Sequence, residues 1–335
     1  MQQDSAIAAA GEAREGAAGR LLAPALILAA VVAPFFFYPV FVMNALCFAL
    51  FACAFNLLIG YAGLVSFGHA AFFGSAGYVT AYTVKVWGLS PIAGILAGTA
   101  VATVMGAVFG WLAIRRLGIY FAMVTLALAQ MVYFVCVEAK FTGGEDGIQA
   151  VPRGTLFGLI DLNRPYAMYY FVLAIFLVGF AIIYRTIHSP FGQVLKAIRE
   201  NESRAVSLGY RTEHYKLVAF ILSAALAGLA GGTKSLVFQL ASLTDVDFTT
   251  SGDVLLMTLI GGLGTVLGPA VGAFISVTME NYLAQFGSWV TVIQGVLFVV
   301  CVLTFRRGVI GEITQLLRRR RLVSSASPTR DPLPG

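Results

Sequence analysis

Residues 165–184 read PYAMYYFVLAIFLVGFAIIY, a run without one charged side chain that stops at Arg185. About 20 apolar residues wound as a helix cross the hydrocarbon core of a bilayer, with every backbone polar group satisfied inside the segment. The stretch therefore reads as a membrane span. Working outward, charge-poor runs recur at 21–42, 90–113, 117–137, 217–237 and 288–305. Two glycine-rich stretches, 43–84 and 252–286, each have the length for more than one crossing. Composition agrees: of 335 residues 59% are hydrophobic and only 11% charged, where soluble domains carry about 25% charged residues. That balance excludes a soluble domain and a disordered chain alike. The fold class is all-α, a polytopic membrane protein.

The basic residues order the crossings, because Lys and Arg gather on the cytoplasmic side. Lys85, Lys140, Arg153, Arg164 and Lys234 fall on the outer side, leaving seventeen of the 22 basic residues inside. Parity between Arg20 and Lys85 requires an odd number of crossings, and three fit. Three more between 250 and Arg306 give ten spans in all; re-entrant pieces there would give eight. Residues 1–20 form a disordered cytoplasmic tail, 21–305 the transmembrane domain, and 306–335 a basic cytoplasmic tail carrying the run 318–321. The run 21–42 is too long for a signal-peptide core. Cys47, Cys53, Cys136 and Cys301 all lie in apolar runs and read as small buried residues rather than a disulfide framework.

The two glycine-rich stretches echo each other. Leu58 to Gly68 (LIGYAGLVSFG) aligns with Leu259 to Gly268 (LIGGLGTVLG), three glycines corresponding, the last after a one-residue gap, and Pro269 follows the second copy. Dense glycine weakens a helix and lets backbones approach, so the pair marks either interrupted helices beside a pathway or close helix packing. By the span count both copies run in the same direction, unlike an inverted repeat.

The polar segment 185–216 holds six of the cytoplasmic basic residues. Ser189-Pro190 starts a helix: a capping hydroxyl followed by proline at the first helical position. Phe191, Val194, Leu195 and Ile198 then share one face. Asn201 restarts a short helix that Gly209 ends. Such an amphipathic hairpin buries its stripe either on the lipid surface or in a partner's groove, and Glu200 and Glu202 among the basic residues favour a protein.

Enzyme chemistry is missing from the pattern. Residues 228–235 read GLAGGTKS, but Thr233 breaks the glycine–lysine adjacency of a phosphate-binding loop, so Lys234 reads as a snorkelling residue at a span end. His69, His188 and His214 are scattered, with no metal-ligand spacing, so neither metal nor cofactor is expected. His69 is either a gating residue or a histidine bonded at a helix break. Glu280 is the one carboxylate placed well inside a span, either as a proton relay or paired across helices. The loop Thr142-Gly143-Gly144-Glu145-Asp146-Gly147 is a tight outer turn.

Four blocks in order resemble the permease subunit of branched-chain amino acid ABC importers, the LivM type. They are Gly60 to Gly74 (GYAGLVSFGHAAFFG); Gly118 to Ala127 with the 142–147 turn; Ser189-Pro190-Phe191-Gly192 through Arg199-Glu200-Asn201-Glu202 to Gly209; and Gly261 to Pro269. The resemblance covers roughly 40–310. It implies an importer permease fold of the BtuC-like, type II kind in a bacterial inner membrane, with both termini cytoplasmic. It also implies a second permease subunit as heterodimer partner, two ATPase subunits, a substrate-binding protein outside, and no catalysis by this chain. Gly63, Ser66, Phe67, Gly68, His69, Phe72, Thr125, Gly261 and Gly264 become translocation-path candidates. Pro190, Phe191, Arg199, Glu200, Glu202, Ala205 and Gly209 become ATPase-coupling candidates, although Arg204 replaces the first alanine of the family's docking signature. Branched-chain or other apolar amino acids are the implied substrates. A urea or short-chain amide permease, and a proton-coupled secondary transporter using Glu280, are the alternatives.

Overall fold

The computed structural model describes residues 30–116, 118–156 and 160–283, with isolated positions between 285 and 299. The expected tails at 1–20 and 306–335, most of the 288–305 span, and Cys301 lie outside the described residues. Among the described residues eight helices build the bundle: α1 Pro39–Asn56, α2 His69–Lys85, α3 Pro91–Ala113, α4 Ile119–Glu138, α5 Pro165–His188, and, after the short helices α6 Pro190–Glu200 and α7 Glu202–Ser207, α8 Thr212–Phe238, α9 Phe248–Gly261 and α10 Gly268–Leu283. Five stretches of the described residues are long and apolar enough to cross a membrane, the first being Pro39–Ala62, which runs α1 on through a π-helical turn. Each glycine-rich stretch does contain two helices: α1 and α2 in the first, α9 and α10 in the second.

The 21–42 run is not one span. A short 3-10 turn, Ala33–Phe35, ends at Phe36, and the next helix opens at Pro39. Proline pushes its predecessor out of the helical region, and Tyr38 sits at φ −59°, ψ 122°. The span predicted at 165–184 runs on past Arg185 to His188, into the basic end of the bundle. The chain is not wholly helical either. Ile148–Gln149 (β1) pairs antiparallel with Leu240–Ala241 (β4), and Thr155–Leu156 (β2) with Ile160–Asp161 (β3).

The centre of the bundle is α2, α3 and α8, packed through small residues. On α3, Gly94, Gly98, Ala102, Gly106 and Gly110 recur every fourth position and form a stripe. Gly98 lies against the Ala76 carbonyl of α2, Gly106 against Ala224 of α8, and Ala102 meets Gly228. In lipid, where there is no hydrophobic drive between helices, this close van der Waals approach supplies the association. Cys47, Cys53 and Cys136 are buried free thiols, as their positions in apolar runs imply.

At one end of the bundle, Lys85 donates to the Gln149 carbonyl (2.7 Å), and Arg153 donates to the carbonyls of Leu236 (3.2 Å) and Val237 (2.6 Å). Burial pulls the Arg153 guanidinium below its ordinary pKa. The opposite end carries Arg115, Arg116 and the whole of 189–211. Lys234 does not snorkel. Its ammonium is 2.5 Å from Asp245 and lies over the rings of Phe48 (4.7 Å) and Phe73 (5.5 Å). Glu280, expected deep in a span, is half-buried in the last turn of α10.

Candidate functional site

The two glycine-rich breaks meet at the basic end of the bundle. α1 widens into the π-helical turn Leu57–Ala62, a distortion common at functional sites, and Gly63 closes it at φ 73°. A Cβ at Gly63 would lie 3.1 Å from Arg199 Cγ, so backbone angle and space both demand glycine there. The chain then runs non-helically through 63–68 back into the bundle. Gly68 packs on the Thr125 carbonyl, and Phe67 N–H donates to Thr125 Oγ1 (3.3 Å). Ser66 is buried and accepts from Gly68 N–H (3.3 Å). The second break is built alike. α9 stops at Gly261, Gly262 and Gly264 take φ 115° and 75°, and α10 starts at Gly268 and folds back on α9.

One side chain sews the breaks together. Asn56, buried at 2% exposure, donates through Nδ2 to the Thr265 carbonyl (2.8 Å) and accepts at Oδ1 from Gly264 N–H (3.0 Å). The amide thus satisfies a donor and an acceptor that the turn 262–267 leaves over. A further bond, Ala70 N–H to Ser251 Oγ (2.8 Å), ties the start of α2 to α9.

Helix α6 packs directly against the two breaks. Its start is as the sequence predicts, with Pro190 in the first turn and Ser189 accepting from Gly192 N–H (3.4 Å). Its stripe needs no partner: Leu195 and Ile198 are buried within this chain, and Phe191 stacks on Tyr215 of α8 (5.6 Å). Arg199 donates to the Gly60 carbonyl, and its Nη1 lies 3.2 Å from where a Gly264 Cβ would be. Lys196 sits over the Tyr61 ring (5.6 Å). Arg199 thus reaches both breaks at once.

In α7, Asn201 caps by accepting from Arg204 N–H (3.0 Å), and Gly209 ends the turn at φ 88°. Glu202 points inward, 2.5 Å from the buried Lys216 and within 3.1 Å of Thr212 Oγ1. Ala205 is buried at 2% exposure. Glu200 is exposed. The outward apolar surface is instead Val206, Leu208 and Tyr210, of which Leu208 is 70% exposed.

His69 and Phe72 are wholly buried in the core. Ser223 Oγ donates to the Ala54 carbonyl (2.6 Å), so it accepts from His69 Nε2–H (2.8 Å), which fixes the tautomer. Phe55, Phe72 and Phe220 surround the imidazole edge-on at 5.3–5.5 Å. Of the sequence-predicted residues, Gly63, Gly264 and Arg199 come together; Thr125, Ser66 and Gly68 form a neighbouring group; Pro190, Phe191, Glu202 and Ala205 hold the α6–α7 hairpin. Sequence reasoning missed Asn56, Val206, Leu208 and Tyr210. A side-chain amide just ahead of the glycine-rich break, one of two (with Asn44) in the apolar run 39–62, was the available signal for the first. Among the described residues no cluster of His, Cys, Asp and Glu has the makings of a metal site.

Comparison with known proteins shows the family of the chain. The family model described as "Branched-chain amino acid transport system / permease component" matches residues 22–302. The chain is 27% identical over 283 residues to the high-affinity branched-chain amino acid transport system permease protein LivM of Escherichia coli K12, covering 76% of this chain and 65% of that relative. The Salmonella typhimurium LivM is 26% identical with the same coverage. A probable LivM of Methanocaldococcus jannaschii is 26% identical over 262 residues, covering 67% of this chain and 75% of that protein. The chain thus spans 65% of the length of the two bacterial relatives. No solved structure matches.

Proposed function

The chain belongs to the branched-chain amino acid transport permease family, and from that membership we propose that it is the membrane-spanning permease subunit of an ATP-driven importer of branched-chain amino acids. It crosses the membrane ten times, with the first crossing ahead of Pro39 and 288–305 as the last. Both termini face the cytoplasm of a cell whose inner membrane holds the complex. A second permease subunit completes the path, a binding protein delivers substrate outside, and two ATPase subunits sit below.

The observation that carries this reading is Arg199, which bridges a cytoplasmic helix and two interrupted membrane helices. An importer needs such a link, since ATP-driven closure below must alter backbone geometry inside the membrane. In the proposed cycle the ATPase grips the hairpin through Val206, Leu208 and Tyr210, with Glu200 and Arg204 at its rim. The ion pair Glu202–Lys216 and buried Ala205 make the hairpin move with α8 rather than bend. α6 then carries the displacement through Arg199 to Gly60 and the 262–267 turn. The breaks at 63–68 and 262–267 rearrange, because glycine at positive φ gives the backbone alternative states. The path candidates Ser66, Phe67, Gly68, Thr125 and Gly261 flank those breaks; His69 and Phe72 form the packed floor behind them.

Reconstitution tests it. Labelled leucine uptake into proteoliposomes should require the ATPase subunits and ATP. Uptake that persists without them and collapses with the proton gradient would refute the importer reading. Competition by urea equal to that by isoleucine would refute the substrate class.

A further inference from the structure

The basic end of the bundle holds a second feature, separate from the Arg199 junction. Between the end of α3 and the first turns of α8 lies a cleft of about 220 Å³. Its walls include Trp111, Ile114, Arg115, Glu213, His214 and Leu217. Gly110 lets α3 and α8 pack closely at its back, since a Cβ there would come within 2.8 Å of Leu217 Cδ1.

Three observations bear on what fills it. First, its walls carry charges of opposite sign that do not neutralise each other. Arg115 stacks on Trp111 (5.2 Å), Glu213 is exposed, and among the described residues no ion pair engages either one. Second, the cleft continues into an apolar surface. Val104, Val108 and Trp111 lie on one outward face of α3, at 64%, 50% and 58% exposure. Third, the exposed Trp111 beside the basic turn at 115–116 marks the membrane–water boundary, where tryptophan concentrates.

We propose that this cleft binds the headgroup of an aminophospholipid of the phosphatidylethanolamine type. The phosphate sits on Arg115, with His214 as a second donor, and the primary ammonium on Glu213; the acyl chains run along Val104 and Val108. The charges select the headgroup. A purely anionic headgroup would satisfy Arg115 and be repelled by Glu213. A trimethylated one would satisfy the charges but has no N–H to donate to the carboxylate. An ATPase surface is the less suitable occupant, because half of the rim is the lipid-facing side of α3. The proposal requires only that the chain crosses the membrane and is independent of what it transports.

The test is native mass spectrometry of the full chain in detergent. It is titrated with phosphatidylethanolamine, phosphatidylglycerol and phosphatidylcholine of matched chains, and with soluble phosphorylethanolamine. Phosphatidylethanolamine should be retained best. Arg115→Gln should weaken its retention about tenfold, the loss of one charge-assisted contact. Glu213→Gln should weaken it too and shift preference toward phosphatidylglycerol, while Lys140→Gln at the other end changes nothing. If Arg115→Gln fails to fold, the shift in preference from Glu213→Gln decides alone. Equal or better binding of phosphatidylglycerol by the unaltered chain, or retention indifferent to both substitutions, overturns the proposal. Phosphorylethanolamine binding as tightly as the whole lipid would make this a soluble-ligand site and overturn it as well.

Discussion

Replacing Asn56 by leucine isolates the link between the two breaks. The side chains share the same branching and number of heavy atoms, so the exchange removes the amide without opening a cavity. Two bonds disappear, to the Thr265 carbonyl (2.8 Å) and from Gly264 N–H (3.0 Å). Asn56 is only 2% exposed, so water does not replace them readily. A buried backbone group left without a partner costs about 1–3 kcal/mol, giving about 2–6 kcal/mol for the pair. The extra apolar burial of leucine offsets roughly 1 kcal/mol of that. Even 2 kcal/mol corresponds to about a 30-fold change in the population of the joined state. The variant is reconstituted with its ATPase and partner permease, and ATP hydrolysis and leucine uptake are measured on the same vesicles. Hydrolysis should continue while uptake per ATP falls at least about tenfold. Asn56→Asp keeps the bond from Gly264 but sets a carboxylate against the Thr265 carbonyl, and should be no better. Uptake per ATP unchanged in folded Asn56→Leu protein would refute the idea that the junction transmits motion.

Other substitutions probe neighbouring parts. Gly63→Ala forces a Cβ into the left-handed region 3.1 Å from Arg199 Cγ and should destabilise by about 1–2 kcal/mol, read as earlier thermal unfolding in detergent. Glu202→Ala strands the buried Lys216 and should cost about 1–3 kcal/mol, most of it recovered by adding Lys216→Met; a double variant as unstable as the single would contradict the ion-pair assignment. Leu208→Asp, at 70% exposure, should leave unfolding temperature unchanged yet abolish co-purification of the ATPase. Ser223→Ala removes the acceptor for His69 Nε2–H and should cost about 1–3 kcal/mol, with no compensating loss in ATPase binding.

Much of the fold was legible before any coordinates. Runs such as 90–113 and 217–237 became helices Pro91–Ala113 and Thr212–Phe238 because a charge-poor apolar run of that length has one low-energy form in lipid. Ser189-Pro190 and Gly209 marked helix ends through local backbone chemistry. The misjudged elements were those where a neighbour outvotes the local signal. The 21–42 run breaks before Pro39 although its hydropathy is continuous. The stripe of 190–200 finds its groove in its own chain, and Lys234 finds Asp245 before it can reach the surface.

By itself, the sequence determined the solvent, the short helical hairpin at 190–207, and the family, because each depends on composition or on spacings within a few turns. Only the tertiary structure decided that Gly60 and Gly264, some two hundred positions apart, lie under one arginine and are joined by one asparagine. Glycine-rich faces can pack against many neighbours with nearly the same contact energy. Which pair meets is chosen by the closure of the whole bundle, and no local pattern in the chain records that choice.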